Sequence, residues 1–248
     1  MDDVAPELWE RLIRLYESGQ AASPKIKALL EQEVKTYESA LTYSVATGKN
    51  AARALQTVLT EEAMPDGKMY FNIAERTVRP LLEKVHADVA DYCEAAQIEL
   101  NKSAGLGMKA IRPALNNDRL RGIIDRLTGA GKLEEIKWIL GEPVVNFSQA
   151  TIDESIRQNA DFQSKAGIRP KLARTSPQCC DWCDKLVGVY DYPPADDRVW
   201  QRHDYCRCVL TYYPTSGASK GAWGNRVGGL TAYTEWRQKK EQQAERKK

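Results

Sequence analysis

The spacing of five cysteines and one histidine constrains this chain more than any other feature. Cys179-Cys180-Asp181-Trp182-Cys183 is answered by His203-Asp204-Tyr205-Cys206-Arg207-Cys208, so five of the six cysteines and one of the two histidines fall within thirty positions. The pattern is C-x2-C, nineteen residues, then H-x2-C-x-C. A C-x2-C turn aims two thiolates at one point, and a second knuckle closes a tetrahedral zinc site around them. A structural zinc takes four ligands, so not all of these side chains can bind at once. The expected set is Cys180, Cys183, His203 and Cys206, with Cys208 as the substitute. In an extended segment Cys206 and Cys208 project to the same side, so either could reach the ion. Cys179 breaks the knuckle spacing and is expected to stand aside.

Two plainer readings compete with structural zinc: disulfides, and a reduced set of metal-free buried thiols. The start of the chain, Met1-Asp2-Asp3, is acidic and lacks the apolar stretch of a secretory leader, so an oxidising compartment is not indicated. The knuckle spacing favours zinc over both alternatives.

The 248 residues suit one large domain or two small ones, and the hydrophobic fraction of 42% is enough for a core. No apolar run is long enough to span a membrane. A net charge of +2 is too mild to argue nucleic-acid binding for the whole chain.

Residues 1–165 read as helix. Pro6 opens a first helix with Leu8, Leu12 and Leu15 on one face, and Gly19 is expected to stop it. Ser23-Pro24 restarts it, and Ile26, Leu29, Leu30, Val34, Tyr37, Leu41 and Val45 continue as one apolar stripe punctuated at Gly48. A long periodic segment runs over 72–103, with a kink or break expected at Pro80. Short helices follow over 117–127, opened by Asn117-Asp118, and over 133–140, and a last one over 148–165 stops at Gly167. The default is an intrachain bundle in which the stripes cover one another. From Ile168 the character changes. Residues 169–174, 187–190 and 208–213 are short β-rich runs around the two knuckles. Such a unit has too little core to stand without a staple or a docked helical neighbour. The expected fold is therefore α+β and mainly α. It comprises an elongated helical part (1–165), a small zinc-stapled module with two or three short strands (166–214), and a Gly/Ser linker with a basic tail (215–248).

Catalytic patterns are weak. His86-Ala87-Asp88 and Pro177-Gln178-Cys179-Cys180-Asp181-Trp182-Cys183 approach a zinc-deaminase signature, but Asp stands where the proton-moving Glu is needed. A cysteine–histidine hydrolase would compete with zinc for the same atoms. No phosphate-binding loop is present. His86 and Cys93 read as plain helix residues.

Residues 148–213 nevertheless carry an ordered set of motifs. They are Ile152-Asp153-Glu154-Ser155-Ile156, Asn159-Ala160, Phe162-Gln163, Lys165-Ala166-Gly167, Ala173-Arg174 and the Cys180-x2-Cys183 knuckle. After these come Leu186-x-Gly188, Tyr190-Asp191-Tyr192, Val199-Trp200-Gln201-Arg202-His203 and Cys206-Arg207-Cys208. This run resembles the phage minor head protein family, the head-morphogenesis proteins similar to protein F of phage Mu. The resemblance implies a minor capsid component that enters the procapsid beside the portal and aids head assembly or DNA delivery. It implies no enzymatic activity and no small-molecule substrate. The implied partners are the portal protein and the major capsid or scaffold protein. The implied location is the virion, inside the phage head, after a stay in the host cytoplasm during assembly. A nucleic-acid-binding zinc module is the alternative, supported by Arg202, Arg207, Lys220 and the basic tail over 237–248. A zinc-dependent enzyme ranks third.

Overall fold

The computed structural model describes residues 3–129, 131–176 and 180–214. Eight helices and three short strands account for most of them. Helix α1 (Ala5–Ala22) begins with Pro6 in its first turn and buries Leu8, Leu12 and Tyr16. It runs past Gly19, where the expected stop does not occur. A side chain at Gly19 would collide with Asn50 and Arg53, so the glycine lets α1 approach its neighbour closely.

The stripe expected to be one helix from Ile26 to Val45 is two, α2 (Pro24–Leu30) and α3 (Tyr37–Val58). Ser23 caps α2 by accepting from the Ile26 amide at 3.3 Å. Thr36 and Ser39 form a capping box that satisfies the first free amides of α3 and so starts a new helix. Between them, Lys35 Nζ donates to the carbonyls of Leu30 and Gln32 at 3.3 and 3.1 Å, closing the end of α2. Val34 falls in the break and is exposed. Gly48 lies inside α3 rather than punctuating it.

Helix α4 (Phe71–Ser103) is not broken at Pro80. Val78, Leu81, Leu82 and Val85 around the proline are fully buried. Burying each such side chain contributes about 1.5–3 kcal/mol, which together outweighs the roughly 3 kcal/mol cost of an interior proline. Helix α5 (Asn117–Thr128) is capped by Asn116, one residue before the expected pair; its Oδ1 accepts from the Arg119 amide at 2.9 Å. One turn of α6 (Leu133–Ile136) passes into a 3-10 turn at Lys137–Leu140. Helix α7 (Glu142–Lys165) begins at Glu142, not Ser148, because Pro143 opens it rather than closing the preceding turn. Gly167, at φ 86°, ends it, with the Ile168 amide returning to the Gln163 carbonyl at 3.0 Å.

The strands follow as β1 (Lys171–Thr175), β2 (Gly188–Asp191) and β3 (Val209–Tyr213), with α8 (Asp181–Asp184) between the first two. They form one antiparallel sheet in the order β2-β1-β3. Leu172 faces Tyr190 on one side and Tyr212 on the other.

Two apolar cores result. The larger joins α1, α3, α4, α5 and the start of α7 through residues such as Leu12, Leu55, Leu81, Ile124 and Phe147. The second contains Tyr37, Leu41, Tyr92, Ile152 and Ile156 from helices together with Leu172, Leu210 and Tyr212 from the sheet. Apart from Leu30 and Val34, which are exposed, the helical stripes are covered within the chain, and the sheet borrows its core from α3, α4 and α7.

Candidate metal centre

Each knuckle is a single tight turn. Cys180 is the N-cap of α8, and its Sγ accepts from the Cys183 amide at 3.4 Å, which turns both sulphurs the same way. In the second knuckle the Cys206 amide returns to the His203 carbonyl at 3.1 Å. Tyr205 takes a left-handed φ of 61° to make this turn, a conformation that costs a residue with a Cβ roughly 1–2 kcal/mol. The Tyr205 amide is held by Glu142 Oε1 at 3.2 Å.

The turns bring the ligands together. His203 Nε2 lies 3.3 Å from Cys180 Sγ and 3.0 Å from Cys183 Sγ, and Cys183 Sγ lies 3.9 Å from Cys206 Sγ. Cys180, Cys183 and His203 form one triad of mutually close donor atoms, and Cys183, Cys206 and Cys208 form a second. The triads share Cys183, so all five expected residues meet in one cluster that can hold a metal ion. Bonds of about 2.3 Å to sulphur and about 2.0–2.1 Å to nitrogen place tetrahedral ligands about 3.5–3.8 Å apart. The sulphur pair matches this spacing, and the imidazole sits a few tenths of an ångström closer. The histidine is also oriented for coordination. Its Nδ1 donates to the Asp204 carbonyl at 2.6 Å, which leaves the Nε2 lone pair facing the sulphurs. Cys179 lies outside the described residues.

Taken as thiols, the cysteines are pulled in opposite directions. The Cys183 amide lowers the pKa of Cys180, and burial pushes Cys183 up to about 11. A hydrogen bond shared with Cys208 pushes Cys206 up to about 12, with burial adding to it. The same bond takes Cys208 down to about 7. A bound metal takes thiolates and so replaces this sharing of protons.

Three further contacts fix the cluster to the helices, and sequence spacing did not point to them. Gln149 donates to the Cys206 carbonyl at 3.0 Å. Arg202 forms a bidentate ion pair with Asp153 at 2.6 and 2.7 Å and donates to the Cys208 carbonyl at 2.8 Å. Burial opposes the charge on Arg202, but Asp153 outweighs it and the net pKa shift is upward. Arg207 reaches Glu142 at 2.8 Å. All three helix residues lie on α7, and their spacing of seven and four places them on one face. That periodicity was the only local signal available. Trp182 packs edge-on against His203, with ring centres 5.7 Å apart.

His86 and Cys93 belong to neither triad. His86 is buried, with Nδ1 3.2 Å from Thr151 Oγ1, and burial lowers its pKa. Cys93 is sealed in the second core, where burial pushes its thiol well up. A cleft of 510 Å³ is lined by Asp153 and Arg202 together with His86, Arg119, Arg157, Asp197 and others. Its charges of both signs favour neither an anion nor a cation. Among the described residues no helix is long and apolar enough to cross a membrane. No protein-family model, curated protein or solved structure matches the chain.

Proposed function

We propose that this chain is a phage minor capsid protein, a head-morphogenesis component that enters the procapsid beside the portal, and that its cysteine–histidine cluster holds a structural zinc ion. One observation carries the reading. The separate motifs that resemble minor head proteins are one another's partners in the fold. Asp153 of the helical motif holds Arg202 of the second knuckle. Arg174 of the strand motif donates to the carbonyls of Val199 and Gln201. Cys183 and His203 face each other across the cluster. An ordered set of motifs whose members touch forms one structural unit, and this supports reading them together as a module. Thiolate and imidazole donors suit zinc, and a cluster docked on a helix, with Cys183, Cys206 and Cys208 buried and Cys180 exposed, supports a staple.

The nucleic-acid reading draws less support. Arg202 and Arg207 are occupied by Asp153 and Glu142, while Lys220 and the basic tail lie outside the described residues. The test is assembly with the portal, scaffold and major capsid proteins of the same phage. The full chain should copurify with procapsids in a few copies per head and crosslink to the portal. Procapsids that contain the portal but exclude this chain would overturn the proposal.

A further inference from the structure

Arg174 is a permanent positive charge with 0% exposure. Its Nη1 donates to the carbonyls of Val199 and Gln201, and its Nη2 lies 3.9 Å from Cys206 Sγ, within reach of a sulphur acceptor. The Trp182 ring covers the guanidinium at 5.6 Å. Arg202 and Arg207, which flank the same cluster, each have a carboxylate. Arg174 has none within ion-pair distance among the described residues. Burying a charge with no counter-charge is strongly disfavoured. The groups placed to supply one are the sulphurs.

The charge count narrows the choice. Zinc with three thiolates and a neutral imidazole carries one net negative charge, which one guanidinium balances; a fourth thiolate would leave a negative charge over. Cys206 and Cys208 both lie within 4.8 Å of Cys183, so what separates them is the contact of Cys206 with Arg174 and its turn with His203. Cys208 sits at the foot of β3, with its carbonyl tied to Arg202.

We propose that Arg174 is the counter-charge of the zinc cluster and, acting through Cys206, makes Cys206 rather than Cys208 the fourth ligand. Arg174 is then a positioning residue, and the inference rests on the zinc reading above. The test measures zinc affinity of the full chain by competition with a chromophoric chelator, together with the absorption spectrum of the cobalt-substituted protein. Wild type and Cys208→Ser should bind one ion with the same cobalt spectrum. Cys206→Ser should lose affinity and change the spectrum. Arg174→Met should weaken zinc by about 10–100-fold, the range for residues that support a ligand. Arg174→Lys should recover part of that loss, and Arg174→Met should add little to Cys206→Ser. Wild-type affinity in a folded Arg174→Met protein would overturn the role of Arg174. Loss of metal in Cys208→Ser with retention in Cys206→Ser would overturn the choice of ligand. That serine contrast decides even if Arg174→Met does not fold. A wild-type chain that binds no metal would instead remove the zinc reading itself.

Discussion

Asp153 and Arg202 show what holds the metal module at the scale of single residues. Their side chains are 11% and 6% exposed, and their bidentate contact spans 49 positions of sequence. Asp153→Asn removes one charge and leaves the other buried, a change that costs about 3–5 kcal/mol in a well-packed pair. Denaturant unfolding should show a loss of that size. A loss under about 1 kcal/mol, the range of a surface pair, would mean that water already screens the contact. This pair also marks a limit of the sequence. C-x2-C and H-x2-C-x-C could be read because a tight turn brings each pair of ligands together locally. Gln149 could not, and Asp153 and Arg174 stood out only as motif positions without a partner, because what makes all three part of the site is tertiary contact. Arg174 is hidden best, a fully buried guanidinium next to Leu172 and Ala173 in the central strand β1.

The crossing of α3 and α7 sets the position of everything downstream. At Gly48 the two helices approach so closely that an added Cβ would lie 2.9 Å from the Val145 Cα and would also strike Ser148. Ser148 Oγ donates to the Ser44 carbonyl at 2.9 Å across the same crossing. Alanine favours helix over glycine by roughly 1 kcal/mol, so Gly48→Ala on an open helix would stabilise. Here overpacking should win and cost about 1–3 kcal/mol, read as a lowered melting temperature. A rise would mean that the helices can move apart freely. The same contact explains why glycine misled the sequence reading. Gly19 and Gly48 look like helix stops, yet both sit inside helices where a neighbour needs the space. Pro80 likewise suggests a break that burial overrides. The strands were easier to place, because β-rich runs between turns needed no knowledge of their partners.

At the scale of the whole molecule, the sheet shares the second core with the helices, and buried tyrosines occur in both cores. Burial pushes Tyr43 and Tyr213 up to about 12 and also raises Tyr16, Tyr37 and Tyr212 well above the ordinary phenol value. A raised folded value favours the neutral phenol. This stabilisation is therefore whole below about pH 10, where unfolded tyrosine is protonated, and is lost as pH rises through about 12. Alkaline titration should show phenolate absorbance from these groups appearing together with loss of helical circular dichroism above about pH 10. Smooth titration of all tyrosines with helicity intact would contradict this burial. A single zinc ion is the proposed staple that joins the two knuckles beside the second core. Metal analysis of the full chain purified under reducing conditions tests it most directly. About one zinc per chain, released together with reactive thiols by a chelator, is the predicted result. A folded protein with no bound metal and freely titrating cysteines would contradict it.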